Sequence, residues 1–151
     1  MNIWFTSDTH FNHSNISSVN VSNWESGYRK FGSLNEMNEV MVDNINHSVK
    51  VGDVLYHLGD FAFGKNDVIE KFRKCINCKT IHLIYGNHDK LIRRRSQLRS
   101  LFTTTNDVIT DNIGGVDFHL SHYSHQVWPE SHRGRLHLFG HSHSSIDGIG
   151  R

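Results

Sequence analysis

The chain has 151 residues, 36% of them hydrophobic and 21% charged, with a formal net charge of +1. That length builds one domain able to bury a sheet between helical layers. So near-neutral a balance excludes a polyanion-coating protein or an acidic tail, though not a local basic patch. No apolar run approaches the ~20 residues needed to cross a bilayer, and Met1–Phe5 reads as a strand rather than a signal peptide. A cytoplasmic protein with reduced cysteines is expected. Cys75 and Cys78 form a lone C-x-x-C, without the second pair a zinc ribbon needs. The unusual count is 13 histidines, several beside Asp, Asn or Gly, which raises metal chemistry at once.

In chain order, Ile3–Thr6 is β-prone and stops at Ser7-Asp8. Ser33-Leu34-Asn35-Glu36 has the form of a capping box. Behind it Met37, Val40, Met41, Asn44 and Ile45 fall at helical spacing, which predicts an amphipathic helix to about Val49. Val54–Leu58 predicts a second strand ended by Gly59-Asp60, and Val68, Ile69 and Phe72 a helix capped by Asn66 or Asp67. Ile81–Tyr85 is a third strand stopped by Gly86. Lys90–Leu101 reads as one helix carrying Arg93, Arg94, Arg95 and Arg99. Val108–Thr110 and Val116–Leu120 are short strands around the turn Gly114-Gly115, and Leu136–Phe139 is a last strand ending at Gly140. Strand-helix alternation argues for an α/β sandwich with a partly parallel sheet. With no repeat, low-complexity tract or linker, residues 1–151 read as a single domain.

Five of the predicted strands share a regularity: they end in polar clusters, Asp8-Thr9-His10, Asp60, Asn87-His88-Asp89, Ser121-His122 and His141-Ser142-His143. Ligands of such sheets gather at the carboxyl ends of strands, so clusters distant in sequence can converge. A pair of divalent ions needs O and N ligands, one of them bridging, and open positions for water and a phosphoryl oxygen. Asp8 and His10, two apart on an extended segment, would point the same way and chelate one ion. His141 and His143 would do the same if extended, whereas a turn would send them to different ions. Asp60 could bridge, Asn87 offers a carbonyl oxygen and His122 another imidazole.

The series Asp8-x-His10, Gly59-Asp60, Gly86-Asn87-His88-Asp89, His122 and Gly140-His141-x-His143 closely resembles the calcineurin-like metallophosphoesterases, in the family's order from residue 8 to 143. The stretches Phe5–Phe11, Tyr56–Phe61 and Leu120–Tyr123 look like its small single-domain bacterial and phage branch. The resemblance implies a metallophosphatase-type β-sandwich core flanked by helices. Here the core could lack C-terminal strands, because the chain ends at Arg151. It implies that Asp8, His10 and His143 hold one ion, that Asp60 bridges, and that Asn87, His122 and His141 hold the second. His88 would be no ligand but a proton donor beside the scissile phosphate, with Asp89 as its imidazole partner. Two divalent metal ions are expected, Mn²⁺ first, with Fe, Zn²⁺, Ni²⁺ or Co²⁺ suited to the same ligands.

The implied function is hydrolysis of a phosphodiester or phosphomonoester, a small nucleotide-like substrate, by metal-activated hydroxide. A nuclease acting on DNA or RNA ends is the alternative enzyme, disfavoured because the chain lacks room for extra DNA-binding parts. A catalytically weak metal-binding scaffold is disfavoured because every ligand position is filled. The H-x-H-x-D-H of the β-lactamase-like fold is absent. No membrane partner is expected, and the chain is a monomer or, if a short C-terminus exposes a sheet edge, a homodimer. His13 reads as a residue of the pocket rim and His57 as a core or supporting histidine. His47, His82, His119, His125, His132 and His137 carry no motif. The arginines of 93–99 read as a solvated helix face before a phosphate site. Trp24, Tyr28 and Arg29 are candidates for a specificity loop, and Trp128 for a pocket wall.

Overall fold

A computed structural model describes residues 1–17 and 29–143. The expectations for Trp24, Tyr28 and the C-terminal Asp147–Gly150 lie outside those residues. Seven strands and four helices are described: β1 (Ile3–Thr6), α1 (Leu34–Ser48), β2 (Val54–His57), α2 (Asn66–Cys75), β3 (Thr80–Ile84), α3 (Lys90–Arg94), α4 (Ser96–Arg99), β4 (Thr104–Asn106), β5 (Val108–Ile113), β6 (Val116–Ser121) and β7 (Leu136–Phe139). β1 to β4 pair side by side in chain order as a parallel sheet. β5, β6 and β7 form a second sheet, antiparallel in its first pair and parallel in its second. This is the mixed α/β sandwich expected from the alternation of elements.

Alternation along the strands decides which face meets which layer. Leu55, Ile81 and Leu83 point to the helical side and pack with Met41, Val42 and Ile45 of α1, Ile69 and Phe72 of α2, Ile92 and Leu98. Ile3, Phe5, Tyr56 and Ile84 point to the other side, against Ile109, Ile113, Phe118, Leu120 and Leu138 of the second sheet. Each fully buried side chain of this kind stabilises the fold by roughly 1.5–3 kcal/mol. The Phe5 and Phe118 rings, 5.0 Å apart, join the two sheets directly.

Local signals were followed where a side chain could satisfy them. Ser33 caps α1, its hydroxyl accepting from the Glu36 amide at 3.1 Å, while the Glu36 carboxylate reaches back to the Gly32 amide at 2.6 Å. Gly114 and Gly115, with φ of 61° and 89°, make the two-residue turn of the β5–β6 hairpin. Two expectations fail, and one strand had no expectation. The cap of α2 falls on Lys65, which makes no side-chain cap bond. The helix expected over Lys90–Leu101 is two short helices, because Arg95 is extended at φ −111° and ψ 112°. β4 went unforeseen because Thr104-Thr105-Asn106 has no apolar alternation; it is a strand through its backbone pairing to His82, Leu83 and Ile84. No helix among the described residues is long and apolar enough to cross a membrane.

Candidate metal centre

The parallel arrangement brings the strand ends to one place, and the backbone laces them there. The Asp8 amide donates to Gly59 O at 2.8 Å, the His10 amide to Asp60 O at 2.9 Å and the Gly140 amide to His122 O at 3.0 Å. The His141 amide donates to the Asp8 carboxylate at 2.9 Å. The segments are not extended, as the period-two reading of Asp8 and His10 supposed. Asp8, His10, Asp60, His141 and His143 all have positive φ, between 45° and 64°. Left-handed backbone is uncommon for such residues and clusters at functional sites, where surrounding structure holds it in place. The turn at 141–143 therefore sends its two rings apart, the second of the two outcomes left open by the sequence.

Two groups of ligand-type atoms result, and a third, His10, Asp60 and His88, overlaps both. His10 Nε2 and a ring nitrogen of His143 face Asp8 Oδ1 at 3.6 and 3.5 Å. His122 Nε2 lies 3.4 Å from Asp60 Oδ2 and 3.0 Å from Asn87 Oδ1, and His141 joins Asp60 and His122 in the second group. Asp60 Oδ2 also lies 3.5 Å from His10 Nε2, so one carboxylate touches both groups. Asp8 Oδ1 and His10 Nε2 are buried and have no hydrogen-bond partner. Their 3.6 Å separation is too long for a hydrogen bond. It is close to the ~3.0–3.5 Å between neighbouring ligands of an ion bound at about 2.1 Å. A divalent cation fits these residues.

The far sides of the rings agree. His122 Nδ1 donates to Leu58 O at 2.8 Å, which leaves Nε2 to face Asp60 and Asn87. His10 Nδ1 lies 3.2 Å from His13 Nδ1. Burial, then the neighbouring His10 and His88, push the His13 pKa down to about 4. With its proton on Nδ1 shared to His13, the His10 ring keeps a lone pair at Nε2, the tautomer that an ion beside Asp8 would select. Outer partners of this kind orient metal-binding imidazoles. Burial alone would raise the Asp8 carboxyl, but the facing His10 and His143 rings, Ser7 and the His141 amide hold it well below the usual carboxylate range. Burial opposes charge on His122 too, yet Asp60 and Leu58 O outweigh it and raise its pKa. The site asks for positive charge.

Supporting residues differ from expectation. The Asp89 carboxylate does not steady the His88 ring; both its oxygens are taken by backbone amides. Oδ2 accepts from Asp60 at 2.8 Å and Gly86 at 2.8 Å, and Oδ1 from Phe61 at 3.0 Å. Asp89 pins the loop that carries Asp60, and burial raises its pKa although those amides favour the charged form. His88 is 38% exposed in its side chain, and its Nε2 lies 3.9 Å from Asp60 Oδ2. Burial first, and the nearby His10, His122 and Lys90, lower its pKa against the pull of Asp60.

His57, fully buried, accepts from the Gly59 amide at Nδ1 and holds Thr9 at Nε2, 2.9 Å away, while Thr9 donates to Phe61 O. It ties the first block to the second. Only the proximity of His57 to Asp60 hinted at this, since Thr9 has no signal of its own. Arg29, a candidate for specificity, is turned inward and donates to the carbonyls of Asp8 and Thr9. Gly59 and Gly86 face each other across the site. A Cβ on Gly59 would come within 2.7 Å of the Gly86 nitrogen, and one on Gly86 within 2.5 Å of the Asp60 nitrogen.

His13 stacks on Phe63, ring centroids 3.6 Å apart. It borders a cleft of about 330 Å³ with His10, Asp60, Asn87, His88, His141 and His143, which agrees with its expected rim position. Arg93 pairs with Asp107 and lies over Tyr85, and Arg99 donates to Arg93 O. Trp128 is no wall of that cleft; its indole donates to Arg135 O and its ring lies 5.0 Å from His137.

Comparison with known proteins gives the same family. A protein of Methanocaldococcus jannaschii named as uncharacterized protein MJ1445 is 37% identical over 90 residues, which is 58% of this chain; the chain thus spans about half, 47%, of that relative. The solved structure of AQ665 from Aquifex aeolicus, a protein of unknown function, superposes with a TM-score of 0.59 at 31% identity, over 88% of this chain and 67% of that one. A structure of a novel archaeal phosphodiesterase aligns at 25% identity over 59% of this chain and 52% of that one, with a TM-score of 0.43. Residues 1–147 match the calcineurin-like phosphoesterase superfamily domain, and the chain belongs to that family.

Proposed function

We propose that this chain hydrolyses a phosphodiester or phosphomonoester of nucleotide-like size at a dinuclear metal centre. The observation that carries the reading is Asp60, whose Oδ2 lies within 3.5 Å of His10 Nε2 and 3.4 Å of His122 Nε2 and so belongs to both ligand groups. Asp8, His10 and His143 would hold one ion, Asn87, His122 and His141 the other, with Asp60 shared. Mn²⁺ leads among the ions suited to such mixed O and N donors. The chemistry two such ions supply when bound is polarisation of a phosphoryl group and a nucleophile made from water near neutral pH.

The chain's own groups do the rest. His13, backed by its stack on Phe63, borders the cleft beside His10. A neighbouring groove of about 510 Å³, bordered by Asn87, Lys90, Tyr123, His125 and the Arg93–Asp107 pair, offers room for the remainder of the substrate, with the positive charge of Lys90. His88, partly exposed at the mouth of the 330 Å³ cleft, is free to donate a proton from its ring to a leaving alkoxide. Its lowered pKa makes it a stronger acid and a less populated one. Asp89 acts on the site by positioning the Asp60 loop.

The test is a substrate panel with added Mn²⁺: bis-aryl phosphodiester, aryl phosphomonoester, 2′,3′- and 3′,5′-cyclic nucleotides and single-stranded DNA. Turnover of a small ester, lost in Asp60→Asn together with bound metal, is the expected result. Two bound metals with no turnover of any substrate would leave a metal-binding scaffold instead.

A further inference from the structure

A second histidine cluster lies on the β5–β6–β7 sheet, built from residues other than the ligands above. His119 of β6 and His137 of β7 are cross-strand partners, and Thr110 of β5 is the partner of His119 on its other side. With His125 from the β6–β7 connection, they bring one ring nitrogen each within 4.8 Å of the others, and no carboxylate belongs to the group. His119 and His137 are 4% and 2% exposed.

Hydrogen-bond accounting fixes where the lone pair of His137 is. Ser121 Oγ donates its only proton to Tyr123 O at 2.6 Å, so its 2.8 Å contact with His137 Nε2 is a bond donated by the ring. His137 Nδ1 is then an acceptor, and it is buried with no partner. His119 Nδ1 is bonded to Thr110 Oγ1 at 2.7 Å, which turns Nε2 toward His125 Nδ1, 2.9 Å away. A buried acceptor left without a donor is costly. Here it sits beside two more imidazoles, and the Nδ1 contact of His119 and the Nε2 contact of His137 have the pattern found behind metal-binding histidines.

We propose that His119, His125 and His137 form a third metal site, taking a borderline divalent cation such as Zn²⁺ that clamps the β6–β7 connection to the second sheet. Three neutral imidazoles without a carboxylate suit Zn²⁺, Ni²⁺ or Cu²⁺ and not Mg²⁺ or Ca²⁺. An ion about 2.0–2.1 Å from each nitrogen sets them about 3.3 Å apart. The three nitrogens lie within 4.8 Å of one another, and the 2.9 Å between His119 and His125 would open by a few tenths of an ångström around an ion. Burial first, then the neighbouring rings, lowers the pKa of His119 and takes that of His137 down to about 4, so both are neutral near pH 7. Arg135 adds to the depression at His119, but its guanidinium is paired with Glu130. Trp128 covers His137. The connection so clamped starts at His122 and carries Tyr123 and His125, a wall of the 510 Å³ groove.

The experiment compares the full chain with His125→Ala, each stripped with EDTA, titrated with Zn²⁺ alone and analysed for bound metal per chain. The variant should bind one Zn²⁺ fewer than wild type, or bind that equivalent at least 100-fold more weakly, and its EDTA-treated form should keep the far-UV spectrum and thermal midpoint of EDTA-treated wild type. Ser121→Ala, which removes the acceptor of His137 Nε2–H, should weaken the same equivalent by roughly 10-fold. Equal stoichiometry and affinity in wild type and His125→Ala, whatever the number bound, overturns the proposal without touching the dinuclear centre. A difference that is seen only because the EDTA-treated variant has lost its fold also counts against it unless Ser121→Ala, folded, shows the loss.

Discussion

Asp89→Asn tests the reassignment of Asp89 from imidazole partner to loop brace. The aspartate is 1% exposed and accepts three backbone amides, two on Oδ2 and one on Oδ1. An asparagine of the same shape has one accepting oxygen. With that oxygen at the Oδ2 position it keeps Asp60 and Gly86 but aims an NH₂ group at the Phe61 amide. Losing one hydrogen bond to a charged group and leaving a buried donor unpaired costs about 3 kcal/mol. Removing a buried charge offsets part of that, in the direction in which burial moves the Asp89 pKa. The net is about 2 kcal/mol of lost stability, or about 4–8 °C in Tm for a chain of this size. Urea unfolding of the EDTA-treated protein measures it, with an unchanged m-value expected. Because Asp60 moves with its loop, Mn²⁺ affinity should fall as well. Stability within about 0.5 kcal/mol of wild type, together with a displaced pH–rate profile, would refute the brace and restore a pairing with His88.

His88→Ala should keep its metal stoichiometry and lose most activity toward alkyl leaving groups while largely retaining aryl turnover; loss of metal instead would make His88 a ligand. In wild type the ratio of alkyl to aryl turnover should fall as pH rises through a His88 pKa lying below the usual histidine value, and the ratio should be flat in the variant. Gly86→Ala drives a methyl group into Asp60, and a tenfold or greater loss of metal affinity by calorimetry is expected. His57 is buried with its pKa lowered from 6.5 to about 4, so between those values the unfolded chain binds a proton the folded one refuses. Its contribution is intact above the unfolded pKa and is lost as pH falls toward 4, by about 3 kcal/mol in all. Denaturation midpoints of EDTA-treated protein from pH 7.5 to about 4.5 should decline less steeply in His57→Gln.

How much of this was legible in the sequence depends on the range of the interaction that decides each feature. The strands from Ile3, Val54, Ile81, Val116 and Leu136 and the Ser33-capped helix are set by apolar period and by a cap within three residues, and they were read closely. The residue blocks of the candidate metal site were also visible, because the donor types a metal centre needs are written in single residues and their order along the chain. Their mutual geometry was not. Asp8 and His10 meet through left-handed turns whose amides donate to the carbonyls of Gly59 and Asp60, bonds made between segments some fifty residues apart in sequence. The role of Asp89 turned on the same fact. Beside His88 it looked like that residue's partner, but its carboxylate meets backbone donors that only the folded loop delivers. The β4 strand and the cluster of His119, His125 and His137 come from strand pairing and register, which place residues side by side without any local pattern to mark them. Composition and motif order thus determined the family and the residue types a metal centre would use. Packing of the strand ends decided which ring faces which carboxylate, because directional contacts a few ångströms long depend on segments that meet only after the chain has folded.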